Sequence, residues 1–235
     1  MRRLLISAVC VLAFCLAASG TWADSVSIQN ASFETTNPLT APCAGTGCAF
    51  NFSILDWTIG GINASAGSFQ PGSSSIYFNT ALPNGSIVAF INTGSISQTL
   101  TGVSLLANSV YTLSVEVGRR NDVAGVNYSL NLLDGSNVFC STPAGSNNSS
   151  IAAGTFADIT LTCATGATVP GGFLGIELTG DGRQIDFDNV QLDVTTSTVS
   201  TPEPGVLALT FVGLLMGGLL FMGSRRNRYL QSASS

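Results

Sequence analysis

The 235-residue chain contains no histidine and no lysine, so arginine supplies all eight of its basic residues. Without those two side chains the sequence excludes histidine-dependent triads, His-ligated metal centres and Schiff-base chemistry. Charged residues make up only 9% of the chain, and the formal net charge is −5. An acidic protein without lysine repels phosphate backbones, so we expect no nucleic-acid partner.

The N-terminal segment has the pattern of an export signal. Arg2 and Arg3 precede an apolar run over residues 4–18, and Thr21 and Ala23 place small residues at the two positions that a signal peptidase reads. The sequence therefore predicts a signal peptide over residues 1–23 that signal peptidase removes.

The C-terminal segment has the pattern of a membrane anchor. Proline and carboxylate residues precede an uncharged run, and arginines follow it: Pro202, Glu203, Pro204, Arg225 and Arg226. The positive-inside rule places this arginine cluster in the cytoplasm. We predict a linker over residues 196–204, a transmembrane helix over 205–223 and an Arg-rich cytoplasmic tail over 224–235.

The Pro-Glu-Pro motif, span and arginines together resemble the PEP-CTERM sorting signal of Gram-negative bacteria. The resemblance implies cleavage near the motif by an exosortase, an integral-membrane cysteine protease. It also implies an exopolysaccharide-producing host and delivery of the protein to the cell surface or the extracellular matrix. A plain single-pass membrane anchor is the alternative.

The segment between the two signals, residues 24–195, has a period of two. Apolar and polar residues alternate over 111–117 and again over 126–132, which predicts half-buried strands. Further candidate strands are Ser25–Gln29, Ser86–Asn92, Ser95–Leu100, Thr155–Cys163, Phe173–Leu178 and Gln184–Val194. Turn clusters such as Asp134-Gly135 and Asp181-Gly182 separate the strands, and no amphipathic helix is present. An all-β fold, a sandwich or jelly roll, is therefore expected.

The last candidate strand contains a change of phase. Ile185 and Phe187 hold one phase, whereas the residues from Val190 to Val194 hold the other, which predicts a β-bulge at Asp188-Asn189. Asp186 and Asp188 flank Phe187 on one side of the strand. A bulge can direct a carboxylate into a ligand site, and a solvated outer face is the equally acceptable interpretation.

Four cysteines remain after the predicted signal peptide: Cys43, Cys48, Cys140 and Cys163. An even number in an exported domain favours disulfides, and of the three possible pairings the sequence-local one joins Cys43 to Cys48 and Cys140 to Cys163. A zinc site is the competing interpretation, but a CxxxxC spacing without histidine matches it poorly.

Three short motifs, at 30–34, 56–58 and 185–190, resemble the galactose-binding-like jelly roll of secreted carbohydrate-binding modules. The resemblance implies that the first and last strands lie side by side, with a structural calcium between them. Carried over to this chain, its ligands are Glu34 and Asp188, with Asn30 or Thr36 as weaker contributors.

Sugar recognition needs an aromatic platform with polar side chains beside it. The candidate ligand-binding residues are Trp57, Tyr77, Tyr128, Arg119 and Asp122. Trp57 suits either a platform or the core, and the core is the preferred interpretation. Phe69, Gln70, Asn79, Arg120 and Asn121 are further candidates.

The sequence thus predicts a non-catalytic module that binds extracellular polysaccharide, with no catalytic residues. One alternative is a structural or adhesive matrix protein without a ligand pocket. The other is a calcium-dependent enzyme on the same fold, either a glycoside hydrolase that uses Glu116 and Glu177 or a cyclase acting on small molecules.

Overall fold

Strands make up most of the computed structural model, which describes residues 23–73 and 76–196. The strands are β1 (Ala23–Ser25), β2 (Ala41–Pro42), β3 (Ala49–Asn51), β4 (Thr58–Gln70), β5 (Val88–Ser104), β6 (Ser109–Arg119), β7 (Asn127–Asp134), β8 (Asn137–Ser141), β9 (Thr155–Ala164) and β10 (Phe173–Thr196). The described part of the chain also has one 3-10 turn, Asn148–Ser150. None of its helices is long and apolar enough to cross a membrane.

The predicted terminal signals cannot be compared with this structure. Residues 1–22 of the signal peptide, the Pro-Glu-Pro motif, the membrane helix over 205–223 and the Arg-rich tail all lie outside the described residues.

The strands form an all-β sandwich of the jelly-roll type, as predicted. β5 and β10 are long enough to run through both sheets, and they pair with each other in two stretches separated by a register shift between Asp181 and Ile185. In the first sheet, the neighbouring strands are, in order, the end of β4, the start of β5, the end of β10, β6 and β9. In the second sheet, the start of β10 lies between the end of β5 and β7, which pairs with β8.

The apolar residues of the alternating pattern face the interior between the two sheets. Leu113, Val115 and Val117 on β6 are fully buried there, and so are Leu130 and Leu132 on β7. Burial of apolar area is the main force that favours folding, so this alternation fixes which face of each strand points inward.

Several features of the strand pattern differ from the prediction. The candidate strand Ser25–Gln29 is a strand only at Ser25, the end of β1, and β2, β3 and β8 were not predicted. Asp181-Gly182 does not end a strand, because β10 continues through it with an irregular register. β4 escaped prediction because its sequence, TIGGINASAGSFQ, is rich in glycine, alanine and serine. Its three large apolar residues, Ile59, Ile62 and Phe69, are spaced too irregularly to mark an inward face.

The predicted bulge in β10 is confirmed. Between Asp188 and Gln191 the strand advances three residues while β6 advances two, from Glu116 to Ser114. The extra residue, Asn189, has a φ of 49°, in the left-handed region that asparagine tolerates better than most side chains. Because of this extra residue, the side chain of Val190 points inward and is buried in the core.

The chain ends of the described domain meet, as the resemblance to carbohydrate-binding modules implied. β1 pairs with the end of β10, with Ala23 opposite Thr195. Both sequence-local disulfides are also present: the Cα atoms of Cys43 and Cys48 are 5.5 Å apart, and those of Cys140 and Cys163 are 6.1 Å apart. The second disulfide joins β8 to β9 and so fastens the edges of the two sheets together.

A second apolar cluster lies on the outer face of the first sheet. It contains Phe69, Val88 and Phe90 from the sheet, and Tyr77 and Phe78 from the loop between β4 and β5. This loop therefore packs over the sheet face and shields it from water. The outer face of the first sheet is where the candidate site lies.

Candidate functional site

Two carboxylates of β10 lie beneath this loop. Because side chains alternate along a strand, Ile185 and Phe187 point into the core while Asp186 and Asp188 point to the outer face. Both aspartates are completely buried. The interpretation of this side of the strand as a solvated face is therefore wrong.

A cavity of about 220 Å³ lies on the same face. Its lining residues are Cys43, Phe50, Phe52, Phe69, Tyr77, Phe90, Asn92, Arg120 and Gln184. Phe50 and Phe52 both stand edge-on to Phe90, with ring centroids 6.0 and 5.9 Å away. Phe52 is 62% exposed, so it forms the rim of the cavity rather than its floor.

A glycine fixes the position of this rim. On β4, a Cβ atom at Gly67 would stand 1.9 Å from the carbonyl oxygen of Asn51 and 2.9 Å from the Cα atom of Phe52. Only glycine allows the backbones to approach this closely. The close contact holds the aromatic rim against the sheet.

Arg120 contributes the positive charge of the cavity. Its guanidinium carbon lies 4.3 Å from the ring centroid of Tyr77 and 5.6 Å from that of Phe69. It forms an ion pair with Asp122, with Nε and Nη2 donating to Oδ1 at 2.8 Å and to Oδ2 at 2.5 Å. Nη1 donates a hydrogen bond to Oε1 of Gln184.

Gln184 connects Arg120 to Asp186. Because Arg120 donates to Oε1 of Gln184, the amide nitrogen Nε2 faces the other way and donates to Oδ1 of Asp186 at 2.8 Å. Oδ2 of Asp186 has no hydrogen-bond partner among the described residues. Asp186 also lies directly across the sheet from Phe90, which lines the cavity.

The environment of Asp186 favours its neutral form. Burial raises the pKa of Asp186 to about 7, against the smaller lowering effects of the Gln184 hydrogen bond and the Arg120 charge. An acid with such a pKa exchanges a proton easily near neutral pH. The outer face therefore holds a carboxyl group that can act as a proton donor beside an aromatic cavity.

Asp188 and Glu34 hold the covering loop instead. Oε1 of Glu34 accepts hydrogen bonds from the backbone N–H groups of Ser86 and Ile87, at 2.8 and 2.7 Å. Oδ2 of Asp188 accepts one from the N–H of Asn84, at 2.8 Å. The pKa of Asp188 is raised to about 7, mainly by burial and to a smaller extent by the charges of Glu34 and Glu116, against the lowering effect of the hydrogen bonds from the backbone of Asn84 and Asn189.

Glu34 and Asp188, the two main predicted calcium ligands, therefore both accept hydrogen bonds from the covering loop. Within the described ranges, no cluster of three or more Asp, Glu, Cys or His side chains could hold a metal ion. Asn30 uses its amide group in the local turn, accepting from Thr35 and donating to Leu55 and Thr35. The hydroxyl of Thr36 is buried and has no hydrogen-bond partner in the described part of the chain.

The predicted ligand-binding residues divide between the cavity and other sites. Tyr77 lines the cavity, and Asp122 pairs with Arg120 beside it. Trp57 and Tyr128 are buried in the main core, where Trp57 packs on Phe33 at 5.3 Å. The remaining residue, Arg119, donates from Nη1 to the carbonyl oxygens of Ser149 and Ile151.

Sequence reasoning missed Gln184 and the phenylalanines Phe50, Phe52 and Phe90 as cavity residues. The alternation of β10 placed Gln184 on the same side as Asp186, which was the only available signal for it. The phenylalanines lie on or next to β3 and β5, and only the pairing of these strands through β4 brings them together.

A sequence model of the HpiC1-like family, described as HpiC1 cyclase, matches residues 24–193. The chain belongs to this family. None of the curated proteins matches it.

Solved structures of cyclases resemble this chain. The Stig cyclase Fisc from Fischerella sp. TAU, in complex with (3Z)-3-(1-methyl-2-pyrrolidinylidene)-3H-indole, is 25% identical with a TM-score of 0.61. The alignment covers 74% of this chain and 98% of that one. A cyclase from Fischerella sp. TAU in complex with 4-(1H-indol-3-yl)butan-2-one is also 25% identical, with a TM-score of 0.59, and the alignment covers 74% of this chain and 100% of that one.

A CBM22-1 xylan-binding domain from Paenibacillus barcinonensis Xyn10C matches at 14% identity with a TM-score of 0.46, covering 77% of this chain and 100% of that domain.

These comparisons correct one prediction. The expectation that the domain is not an enzyme is wrong, because its family is a cyclase family and the solved structures at 25% identity are cyclases. The missing histidine and lysine were the reason for that expectation. They exclude particular mechanisms, but a buried aspartate such as Asp186 can also supply a proton near pH 7.

Asp186 is expected to make the stability depend on pH. Its pKa is raised to about 7 from the ordinary 3.8, so the folded protein holds this proton more tightly than the unfolded chain. The stabilisation is complete below about pH 4 and is lost as the pH rises towards 7. The free energy of unfolding should fall over that range by up to about 4 kcal/mol from this group.

Urea denaturation from pH 4 to 7 in the presence of a chelator measures this effect. Asp186→Asn should make the profile less steep, with Asp188 supplying part of the remaining slope. Asp181→Asn, which removes an exposed carboxylate, should leave the wild-type slope. Equal slopes for wild type and Asp186→Asn would contradict the assignment.

Proposed function

We propose that this protein is a cyclase that closes a ring in a compact, aromatic small molecule bound in the cavity lined by Phe50, Phe52 and Phe90. Asp186 is the proposed proton donor. The observation that carries the proposal is a fully buried carboxyl group, one oxygen of which has no hydrogen-bond partner among the described residues. Its other oxygen accepts a hydrogen bond from Gln184, which lines the aromatic cavity.

The size and lining of the cavity support a small, flat substrate. Its volume of about 220 Å³ is below the ~300–1,000 Å³ usual for drug-sized ligands. Aromatic rings bind other aromatic rings in edge-on or offset arrangements. The two related cyclase complexes hold indole compounds, which are ligands of this kind.

The chemistry that we propose is an isomerisation. The proton leaves Oδ2 of Asp186 and adds to one carbon of a substrate double bond, which leaves a carbocation on the other carbon and a carboxylate on Asp186. A second π bond of the substrate attacks the cation and forms the new ring bond. Loss of a proton to the Asp186 carboxylate then restores both the double bond and the acid.

The site residues suit such an intermediate. The faces of the phenylalanine rings carry negative electrostatic potential and stabilise a nearby cation. The carboxylate formed on Asp186 opposes the positive charge at short range. Asp122 balances the charge of Arg120, so that the guanidinium repels the cation less than it would alone.

Replacement of the proton donor should abolish turnover without preventing folding. We expect Asp186→Asn to lower the rate at least about 100-fold, since a general acid contributes roughly 10²–10⁴-fold. The measurement incubates the protein with an indole that carries an alkenyl side chain. Chromatography with mass detection then follows a product of unchanged mass and changed retention.

Asp181→Asn is the matched control, because it removes an exposed carboxylate from the same strand. Full turnover by Asp186→Asn would exclude Asp186 as the donor. Saturable retention on the matrix polymer of the host, without any conversion, would favour the polysaccharide-binding alternative.

We also propose a structural calcium held by Glu34 and Asp188. Two carboxylates accept hydrogen bonds from the same loop, Glu34 from the segment between β1 and β2 and Asp188 from β10. The hydroxyl of Thr36, which has no hydrogen-bond partner among the described residues, lies two residues from Glu34. Calcium prefers such oxygen ligands and would need backbone carbonyls or water to complete six to eight contacts. When bound, it would neutralise the repulsion between the two acids.

Calcium should then raise the melting temperature, and a chelator should lower it. At 100 times its dissociation constant the ion would add about 2.7 kcal/mol to the free energy of unfolding. Thermal unfolding with and without calcium measures this increment, which Asp188→Asn should remove and Asp193→Asn should leave intact. An unchanged wild-type melting temperature would rule the ion out.

We further propose that the protein is exported and sorted by an exosortase to the cell surface or matrix of a Gram-negative bacterium. The PEP-CTERM-like tail supports this, and the two disulfides are typical of an oxidising compartment. The membrane helix would hold the precursor until it is cut.

Sorting predicts a processed C-terminus. Mass spectrometry of the protein isolated from the cell surface should find it ending near Pro204, without Arg225 and Arg226. Replacement of Pro202 and Pro204 by alanine should keep the arginine tail attached. A wild-type surface protein with an intact tail would be a plain membrane-anchored protein.

A further inference from the structure

The aromatic cavity already contains a cation of the protein itself. Arg120 stands over the ring of Tyr77 at 4.3 Å and near that of Phe69 at 5.6 Å. A guanidinium or ligand cation within about 6 Å of a ring centroid is attracted by the ring. The ring faces of Tyr77 and Phe69 are therefore already occupied by a cation of the protein.

The charge of this cation is balanced from outside the cavity. Asp122 receives two hydrogen bonds from the guanidinium, at 2.8 and 2.5 Å, and its side chain is 40% exposed, whereas that of Arg120 is 11% exposed. The pKa of Asp122 is lowered, mainly by its hydrogen bond from Arg120. The pair therefore stays ionised at neutral pH and has no net charge.

We propose that the Arg120–Asp122 ion pair sets the charge selectivity of the cavity, so that it accepts a neutral aromatic molecule with a carbonyl-type acceptor for Arg120. This inference rests on the proposed function and names the substrate class of the same site. The guanidinium lines the cavity beside Gln184, where it can donate to a ligand.

Charged ligands are disfavoured for two separate reasons. An ammonium group would meet a like charge in the aromatic position that Arg120 occupies. A carboxylate would have to lose its hydration, while the charge of Arg120 is already neutralised by Asp122. A neutral carbonyl loses less hydration and still gains a hydrogen bond to a charged donor.

Three probes of matched shape test the inference. They are the ketone 4-(1H-indol-3-yl)butan-2-one, the carboxylate indole-3-propionate and the amine 4-(1H-indol-3-yl)butan-2-amine, each an indole on a two-carbon linker. Calorimetric titration of the full protein at pH 7.5 should find the ketone bound at least about tenfold more tightly than either charged probe.

Removal of the balancing charge should switch this preference. In Asp122→Asn the guanidinium loses its hydrogen-bonded counter-charge, so the carboxylate should gain about tenfold in affinity relative to the ketone. Because Asp122 is exposed, this variant is expected to fold, and thermal unfolding checks that it does. Asp181→Asn changes the net charge equally at an exposed position and should leave the wild-type preference.

Removal of the cation should have a different effect. Arg120→Gln vacates the aromatic position, so the amine should gain affinity relative to the ketone by about tenfold. Equal binding of the three probes by the wild type, or an unchanged preference in Asp122→Asn, would overturn the inference and leave the cyclase proposal standing. If no probe binds to the wild type, the cavity is not the ligand site and both proposals fail.

Discussion

The structure depends on the way β10 pairs with β5 on one side and β6 on the other while changing phase at Asn189. Before the bulge, Ile185 and Phe187 fill the core. After it, Val190 and Leu192 do so. A regular strand would turn one of these two sets outward, because side chains alternate strictly along a pleated strand. The bulge therefore lets one continuous strand contribute to the core along its whole length.

The same constraint places Asp186 and Asp188 on the covered outer face, where both are fully buried. Burial of a carboxyl group lowers stability when it is ionised, and the neighbouring groups offset only part of this cost. Gln184 donates to Asp186, and backbone N–H groups of Asn84 and Asn189 donate to Asp188. Such a destabilised acid, next to an aromatic cavity, is characteristic of functional sites. The proposed cyclase activity would give that arrangement a reason.

The sequence could predict those parts of the fold that depend on local patterns. Alternation identified β6 and β7, and the change of phase in β10 located the bulge. It could not predict β4, whose small residues carry no pattern. Nor could it predict the cavity, because Phe50 and Phe90 face one another only through their pairing with β4, and because the covering loop has no periodicity. A period of two tells which residues share a face, but not what covers that face.

The prediction that the domain is not an enzyme failed for a related reason. The surroundings of a side chain can shift its pKa far from the value that is usual for its residue type. Judged by residue type alone, a chain without histidine and lysine is unsuited to proton transfer near pH 7. Burial removes that limit for Asp186, because desolvation raises its pKa to about 7 in the folded protein. Ring closure by isomerisation, as proposed above, also returns the proton that starts it, so one carboxyl group can act first as acid and then as base. Under that proposal a single buried aspartate beside the aromatic cavity serves both steps, so the absence of histidine does not exclude the chemistry.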